Sequence, residues 1–188
     1  MDRMNTAKMR ALYAILLGGF IAFEPRAHAD GKVAHEIARF LSVGGYFFTD
    51  ASARQAVGSP KFYGETSFYG RPLRAGHVGV AGGLQLIGAT DHFLPFSGGN
   101  EVSWIGPSLR VTTSNEKQAL RPYLTAGLFA GHVRSERLGL DRWDVDPSAA
   151  AGVELALGRY LILDADYRVG KRISGVSLDG FAINLRVR

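Results

Sequence analysis

Three observations predict an all-β chain built as one eight-stranded antiparallel up-and-down barrel. The first is an alternation of apolar and polar residues through 148–188, where Ala149, Ala151, Val153, Leu155 and Leu157 share one face. Leu161, Leu163, Ala165, Tyr167 and Val169 continue that face, and Phe181, Ile183, Leu185 and Val187 complete it. A period of two means β-strand, because successive side chains of a strand point to opposite faces. The second observation is that five further segments upstream have strand character. The third is that the connections between segments alternate long and short, which puts tight turns at one end of an up-and-down array and loops at the other.

The elements follow in order. Arg3, Lys8 and Arg10 precede the apolar run ALYAILLGGFIAF, and Ala27-His28-Ala29 forms an A-x-A site, so residues 1–29 read as a signal peptide cleaved after Ala29. The apolar run is too short for a spanning helix, which needs roughly 20 residues. Residues 30–39 are a polar lead-in. Strands are expected at 40–50, 61–70, 75–88, 101–113, 119–133, 148–157, 161–169 and 181–188, so that 40–188 forms the barrel domain. Between them lie a loop at 51–60 and a tight turn at 71–74, where Pro72 sets φ. A loop at 89–100, a turn at 114–118 and the longest polar loop at 134–147 follow. Residues 158–160 then make a three-residue hairpin connection, since Leu157 and Leu161 share a face and parity demands an odd loop. The last loop is 170–176. Pro107, inside the fourth strand, predicts a bulge or a strand start nearby.

Composition narrows the classes. The 188 residues suffice for one domain and include 24 Gly, while Cys is absent, which excludes disulfides and Cys-based zinc sites. The formal charge of +5 falls to +3 once residues 1–29 are removed, leaving 18 Lys/Arg against 15 Asp/Glu. Such modest basicity lacks the concentrated patch of a nucleic-acid binder, so no nucleic-acid partner is expected.

Alternation alone does not say which face looks inward, but side-chain size does. The polar face is dominated by Gly79, Ala81, Gly83, Ser148, Ala150, Gly152 and Ala182, which suit the narrow interior of an eight-stranded barrel. The same face carries Arg110, Glu154, Asp164, Asp166, Arg168, Arg186 and Arg188. Turned inward, charges of both signs can neutralise one another as a lumen network; unpaired, each would be costly to bury. The apolar face then looks outward to lipid, and the barrel is a transmembrane one. Tyr, Phe and Trp near strand ends read as interfacial girdles.

Arg121-Pro122-Tyr123-Leu124-Thr125-Ala126-Gly127-Leu128, Ala151-Gly152-Val153-Glu154-Leu155 and Leu161-Ile162-Leu163-Asp164-Ala165-Asp166-Tyr167-Arg168 resemble the P-Y-x-x-A-G, G-x-E and D/E-Y-R strands of OmpA-like small outer-membrane β-barrels. The resemblance covers roughly residues 40–188 and marks architecture rather than activity. It implies a cell outer membrane location, insertion by the barrel-assembly machinery, and lipid and lipopolysaccharide as surroundings. The chain departs from the family at its end, Leu185-Arg186-Val187-Arg188, where such barrels carry a terminal aromatic.

The function expected is therefore non-enzymatic: a structural or surface-interaction barrel with long loops outward and a lumen closed by small and charged side chains. Arg134, Arg137, Arg142, Lys171 and Arg172 sit in the long-loop segments and are the candidates for contact with lipopolysaccharide phosphates or an extracellular ligand. Two alternatives stand beside this reading. One is a lipid A-modifying enzyme using His77, His92 or His132 with Ser97, Ser135, Glu136 or Asp91, although none of these has a specific spacing. The other is a soluble periplasmic lipocalin-like barrel with its apolar face inward. No metal site is expected, since Asp141, Asp144 and Asp146 lack the Gly and Glu of a calcium loop, and no cofactor motif occurs.

Overall fold

The computed structural model describes residues 41–70, 72–91, 99–113 and 118–187. The expected signal peptide, lead-in and Arg188 lie outside these residues, as do His92 and Ser97.

Among the described residues nine strand segments make one closed antiparallel sheet. They are β1 (Leu41–Phe48), β2 (Lys61–Tyr69), β3 (Leu73–Ala75), β4 (Val78–Thr90), β5 (Glu101–Thr113), β6 (Leu120–Ser135), β7 (Leu140–Leu157), β8 (Leu161–Val169) and β9 (Gly180–Val187). Each pairs with its neighbour, β9 returns to β1, and β2 pairs with β4 from Phe62↔Thr90 to Tyr69↔Gly83. The segments β2 and β3 both lie along β4. The register shifts by one residue between Tyr69↔Gly83 and Leu73↔Val80, so they are two halves of one bulged strand and the barrel has eight staves.

That bulge corrects the turn expected at 71–74. Pro72 donates no backbone hydrogen bond and interrupts the ladder without reversing it. The reversal comes at Gly76-His77, between the paired Ala75 and Val78, where Gly76 adopts φ +59°. A second correction concerns Pro107. The β5 register against β4 runs unbroken from Val78↔Thr113 to Thr90↔Glu101, so there is no bulge. The pairings on the other side, Ile105↔Ala130 and Ser108↔Gly127, keep one register across Pro107.

The third correction is larger. Residues 134–147 are not a loop: β6 and β7 stay paired out to Ser135↔Leu140, and only 136–139 turn. This ribbon rises past the end of β8, whose last partner on β7 is Ala149. The stretch expected as a plain loop at 51–60 also has structure, a short helix α1 (Ala51–Val57) capped by Asp50, which accepts from Ser52 N at 2.7 Å. The three-residue connection at 158–160 matches expectation, with Leu157↔Leu161 closing it.

The two ends therefore differ. At the loop end lie α1, Asp91, Gly99, Asn100, the turn 136–139 and residues 170–179; at the turn end lie Gly76-His77, residues 118–119 and 158–160. Outside, the strands present Val43, Phe47, Phe62, Leu109, Val111, Leu124, Leu128, Val145, Val153, Leu161, Val169, Phe181, Ile183 and Leu185, all exposed. Phe47, Phe181 and Tyr167 stand in adjacent positions on β1, β9 and β8 near the loop end, an aromatic row at the edge of the apolar belt.

Inside there are two tiers. Toward the loop end Tyr46, Phe48, Tyr63, Ile87, Val102, Trp104, Phe129 and Val133 pack with Ala53, Ala56 and Val57 of α1 and with Ile173, Val176 and Leu178. Tyr46 stacks on Tyr63 with ring centres 5.6 Å apart and lies 5.9 Å from Trp104. This apolar tier adds to the expectation of a lumen closed by small and charged groups, and it seals the loop end as a small-protein core would. Below it, toward the turn end, the interior is polar.

Candidate functional site

The polar tier is assembled by parity. In β7 and β8 the inward residues are Ser148, Ala150, Gly152, Glu154 and Ile162, Asp164, Asp166, Arg168; in β9 they are Ala182, Asn184 and Arg186. Glu154 and Asp164 are direct partners across the β7–β8 ladder. Two like charges so placed repel, and three arginines answer them. Arg110 and Arg186 both bond Glu154 Oε1, Arg121 lies 2.8 Å from Glu154 Oε2, and Arg186 Nε lies 3.2 Å from Asp164 Oδ2. The Arg110 guanidinium also sits over the Tyr123 ring at 3.8 Å.

A second group lies just under the apolar tier. Asp166 accepts from Tyr123 OH at 2.8 Å, and the Arg168 guanidinium, almost wholly buried, stands 5.8 Å from the Phe129 ring centre. Glu65 accepts from Tyr63 OH and Gln85 Nε2, both at 2.8 Å. The polar tier thus holds Arg110, Arg121, Arg168 and Arg186 against Glu65, Glu154, Asp164 and Asp166, four charges of each sign. Of the residues singled out in the sequence, six come together here; Arg188 is outside the described residues.

Sequence reasoning did not assign Glu65 or Arg121 to this network. The reason for Glu65 is that β2 is aromatic on both faces. A finer signal exists: its inward rings, Tyr63 and Tyr69, carry hydroxyls that hydrogen-bond inside, whereas its outward rings, Phe62 and Phe68, have none. Asp146 falls in the stretch expected as a polar loop, yet it is fully buried. It accepts from Trp104 Nε1 at 2.8 Å and from Lys171 N at 2.6 Å, tying residues 170–179 to the barrel wall.

The loop-end rim carries the five basic residues. Arg134 lies at the end of β6 with its guanidinium 4.0 Å from Glu136, Arg137 is in the turn, and Arg142 is exposed on β7. Lys171 pairs with Asp144 at 2.8 Å and Arg172 with Asp50 at 3.5 Å. Asp50 and Asp91, rim carboxylates outside the strands, are held below their ordinary value of 3.8. For Asp50 the chief cause is the Ser52 side chain donating to it, followed by Ser52 N, with Arg172 adding to the effect. Burial pushes Asp91 up, but hydrogen bonds from Lys61 and Asn100 outweigh it. Lys61 itself is buried and also reaches Asn100 O at 3.2 Å, joining the start of β2 to the β4–β5 connection.

The two described histidines do not converge. His77 is in a turn at the turn end, whereas His132 is at the loop end, stacked on Trp143 at 4.4 Å with Nε2 2.9 Å from Asp141. Ser135 faces the other way, donating to Ala56 O. Among the described residues no group of three or more His, Asp or Glu is placed to hold a metal ion.

No protein-family profile matches the chain, and a search of curated proteins likewise found no match. Solved structures do resemble it. The Yersinia pestis outer membrane protein Ail in a phospholipid bilayer nanodisc aligns with a TM-score of 0.45 at 13% identity, over 79% of this chain and 96% of that one. The crystal structure of Ail, the attachment invasion locus protein, gives 0.45 at 11% identity, over 78% and 92%. Neisserial surface protein A gives 0.43 at 18% identity, over 78% and 92%. The closure into eight staves stands on the chain's own pairing registers.

Proposed function

We propose that this chain is an outer-membrane β-barrel with a structural or surface-interaction role, lacking both enzymatic activity and a through-channel. The observation that carries the proposal is the pairing of an apolar exterior with a charged, filled interior. On β6 the outward residues Leu120, Pro122, Leu124, Ala126, Leu128 and Ala130 contain no polar side chain, while Arg121, Tyr123 and Thr125 point inward. At about 3.3 Å per residue and a tilt near 40°, such a run spans roughly 25 Å, the height of the apolar band of membrane barrels. A water-soluble barrel of the lipocalin type would turn these faces the other way. A monomer in water rarely exposes so continuous an apolar surface.

The orientation follows from the ends. The loop end, with its ribbon and α1, faces the exterior, and the turn end, where β1 begins and β9 ends, faces the periplasm. Export uses residues 1–29 as a cleaved signal peptide, and insertion uses the barrel-assembly machinery. Arg134, Arg137, Arg142, Lys171 and Arg172 then ring the outer leaflet and contact lipopolysaccharide phosphates or an extracellular ligand. Exposed ion pairs such as Lys171–Asp144 are screened by solvent and contribute little, so a phosphate displaces the carboxylate at little cost. Arg137 and Arg142, which make no ion pair among the described residues, carry the largest share.

Fractionation and gel migration test the location. Recovery in the outer-membrane fraction with heat-modifiable migration supports it, and a detergent-free soluble monomer contradicts it. Reversing the charge of all five rim cations is expected to weaken lipopolysaccharide association at least several-fold; unchanged association removes the surface role from them. Mass spectra of lipid A from cells with and without the gene are expected to be identical, and a changed acylation pattern would point to an enzyme.

A further inference from the structure

A cavity of about 10 Å³ lies within the polar tier, with Ser42, Glu65, Arg110, Asp164, Asn184 and Arg186 among its walls. That is room for about one water molecule. Three atoms of these wall residues are buried and without a hydrogen bond: Asp164 Oδ1, Asn184 Oδ1 and Arg186 Nε. They are neighbours, since Asp164 and Asn184 are direct partners across the β8–β9 ladder and Ile162↔Arg186 is the next inward pair. The Arg186 Nε–H is 3.2 Å from Asp164 Oδ2 but is not aligned to bond it.

We infer that this cavity is a binding site for a single water molecule, which donates to Asp164 Oδ1 and Asn184 Oδ1 and accepts from Arg186 Nε–H. Water matches the three atoms one for one, supplying two donors and a lone pair. An ion does not. A cation at this point faces the guanidinium groups of Arg110 and Arg186, while an anion faces Glu65 and Asp164 and leaves both orphan acceptors without a donor. The tier is already balanced, with four cationic and four anionic side chains, so either ion would add an unmatched charge in a region of low dielectric.

The water's route follows from the two tiers. The apolar tier, with Ile87, Val102 and Trp104 fully buried, blocks passage from the loop end. At the turn end, Arg121 and Arg186 retain 18% and 21% of their side-chain exposure, so solvent reaches the network from that side. Solvent therefore approaches the site from the turn end and not through the apolar tier.

Nuclear magnetic resonance on the full barrel, refolded in detergent micelles and shown to be folded by heat-modifiable migration, tests this. Water contacts of the Asn184 side-chain amide, measured in the laboratory and rotating frames, should show the sign of a long-lived bound water. The signal should be the same in sodium chloride, potassium chloride and choline chloride. Absence of the water contact overturns the inference, and so does its loss as sodium or chloride rises, which would identify an ion as the occupant.

Discussion

Glu154 of β7 and Asp164 of β8 face each other across the ladder, and the Arg186 side chain of β9 reaches both. Two carboxylates at that separation cannot share a low-dielectric interior unless cations answer them. Arg110 from β5 and Arg121 from β6 add two more, so a single glutamate collects arginines from three strands. The network therefore cross-braces the lumen in addition to the backbone ladders.

Glu154 is the hub, and its loss should be felt more than that of any one arginine. Glu154→Gln leaves Arg110, Arg121 and Arg186 competing for Asp164, and breaking a buried pair in this way costs about 3–5 kcal/mol. Urea unfolding of the refolded barrel in detergent should show the drop. Arg121→Gln, which leaves two arginines on Glu154, is expected to cost less than half as much. Equal losses would mean that the three arginines do not act through Glu154.

Of three strand glycines that look alike in sequence, two should resist substitution and one should tolerate it. A Cβ on Gly44 would lie 1.9 Å from Ile183 O, and one on Gly106 2.1 Å from Leu128 O, both rigid backbone atoms of the neighbouring strand. A Cβ on Gly64 would meet no heavy atom within 4 Å. Gly44→Ala and Gly106→Ala should each lose at least about 1–3 kcal/mol, as overpacked sites do, with a visible drop in refolding yield. Gly64→Ala should refold like the parent. A measured refolding yield for Gly44→Ala equal to that of Gly64→Ala would refute the tight ladder at β1–β9.

The loop-end cap should loosen in acid. The Asp50 carboxylate caps α1 and is held below its ordinary value of 3.8, first by the Ser52 side chain. A depressed folded-state value means that the contribution is fully present above that ordinary value and is lost as pH falls through the lower, folded one. Amide exchange over residues 51–58 should therefore stay slow at pH 5 and accelerate only as pH falls below the ordinary carboxylate value of 3.8, beyond the intrinsic pH dependence. Asp50→Asn, which keeps a capping oxygen without the charge, should flatten that response. A parent protein whose exchange is unchanged through this window would contradict the cap.

Much of the barrel was legible because the exterior and the lumen impose opposite demands on alternate residues. The fourth predicted strand, 101–113, coincides with β5 at both ends, since its outward Leu109 and Val111 and its inward Ser108 and Arg110 differ sharply. Beyond the belt that contrast vanishes. In Leu140–Ser148 both faces of the ribbon carry polar groups, so a paired strand reads as a loop. Helix α1 is seven residues, too short for a 3.6-residue period to emerge from ASARQAV. The apolar tier was hidden for a different reason. Trp104 shares the parity of Ser108 and Arg110, and Ile87 that of Gln85, so their strands place them inside although their chemistry matches the outer face.

The central claim is that the apolar face of each strand meets lipid and the polar face fills the lumen. Leu124 and Thr125, adjacent on β6, test it most directly, because Leu124 is 59% exposed and Thr125 4%. With no native Cys, each position can carry a single cysteine bearing a nitroxide in the barrel reconstituted in phospholipid vesicles. The spectrum at 124 should show collisions with oxygen, which concentrates in the bilayer, and none with a water-soluble nickel chelate, while 125 should be shielded from both. Nickel access at 124 would place the apolar face in water and contradict the account.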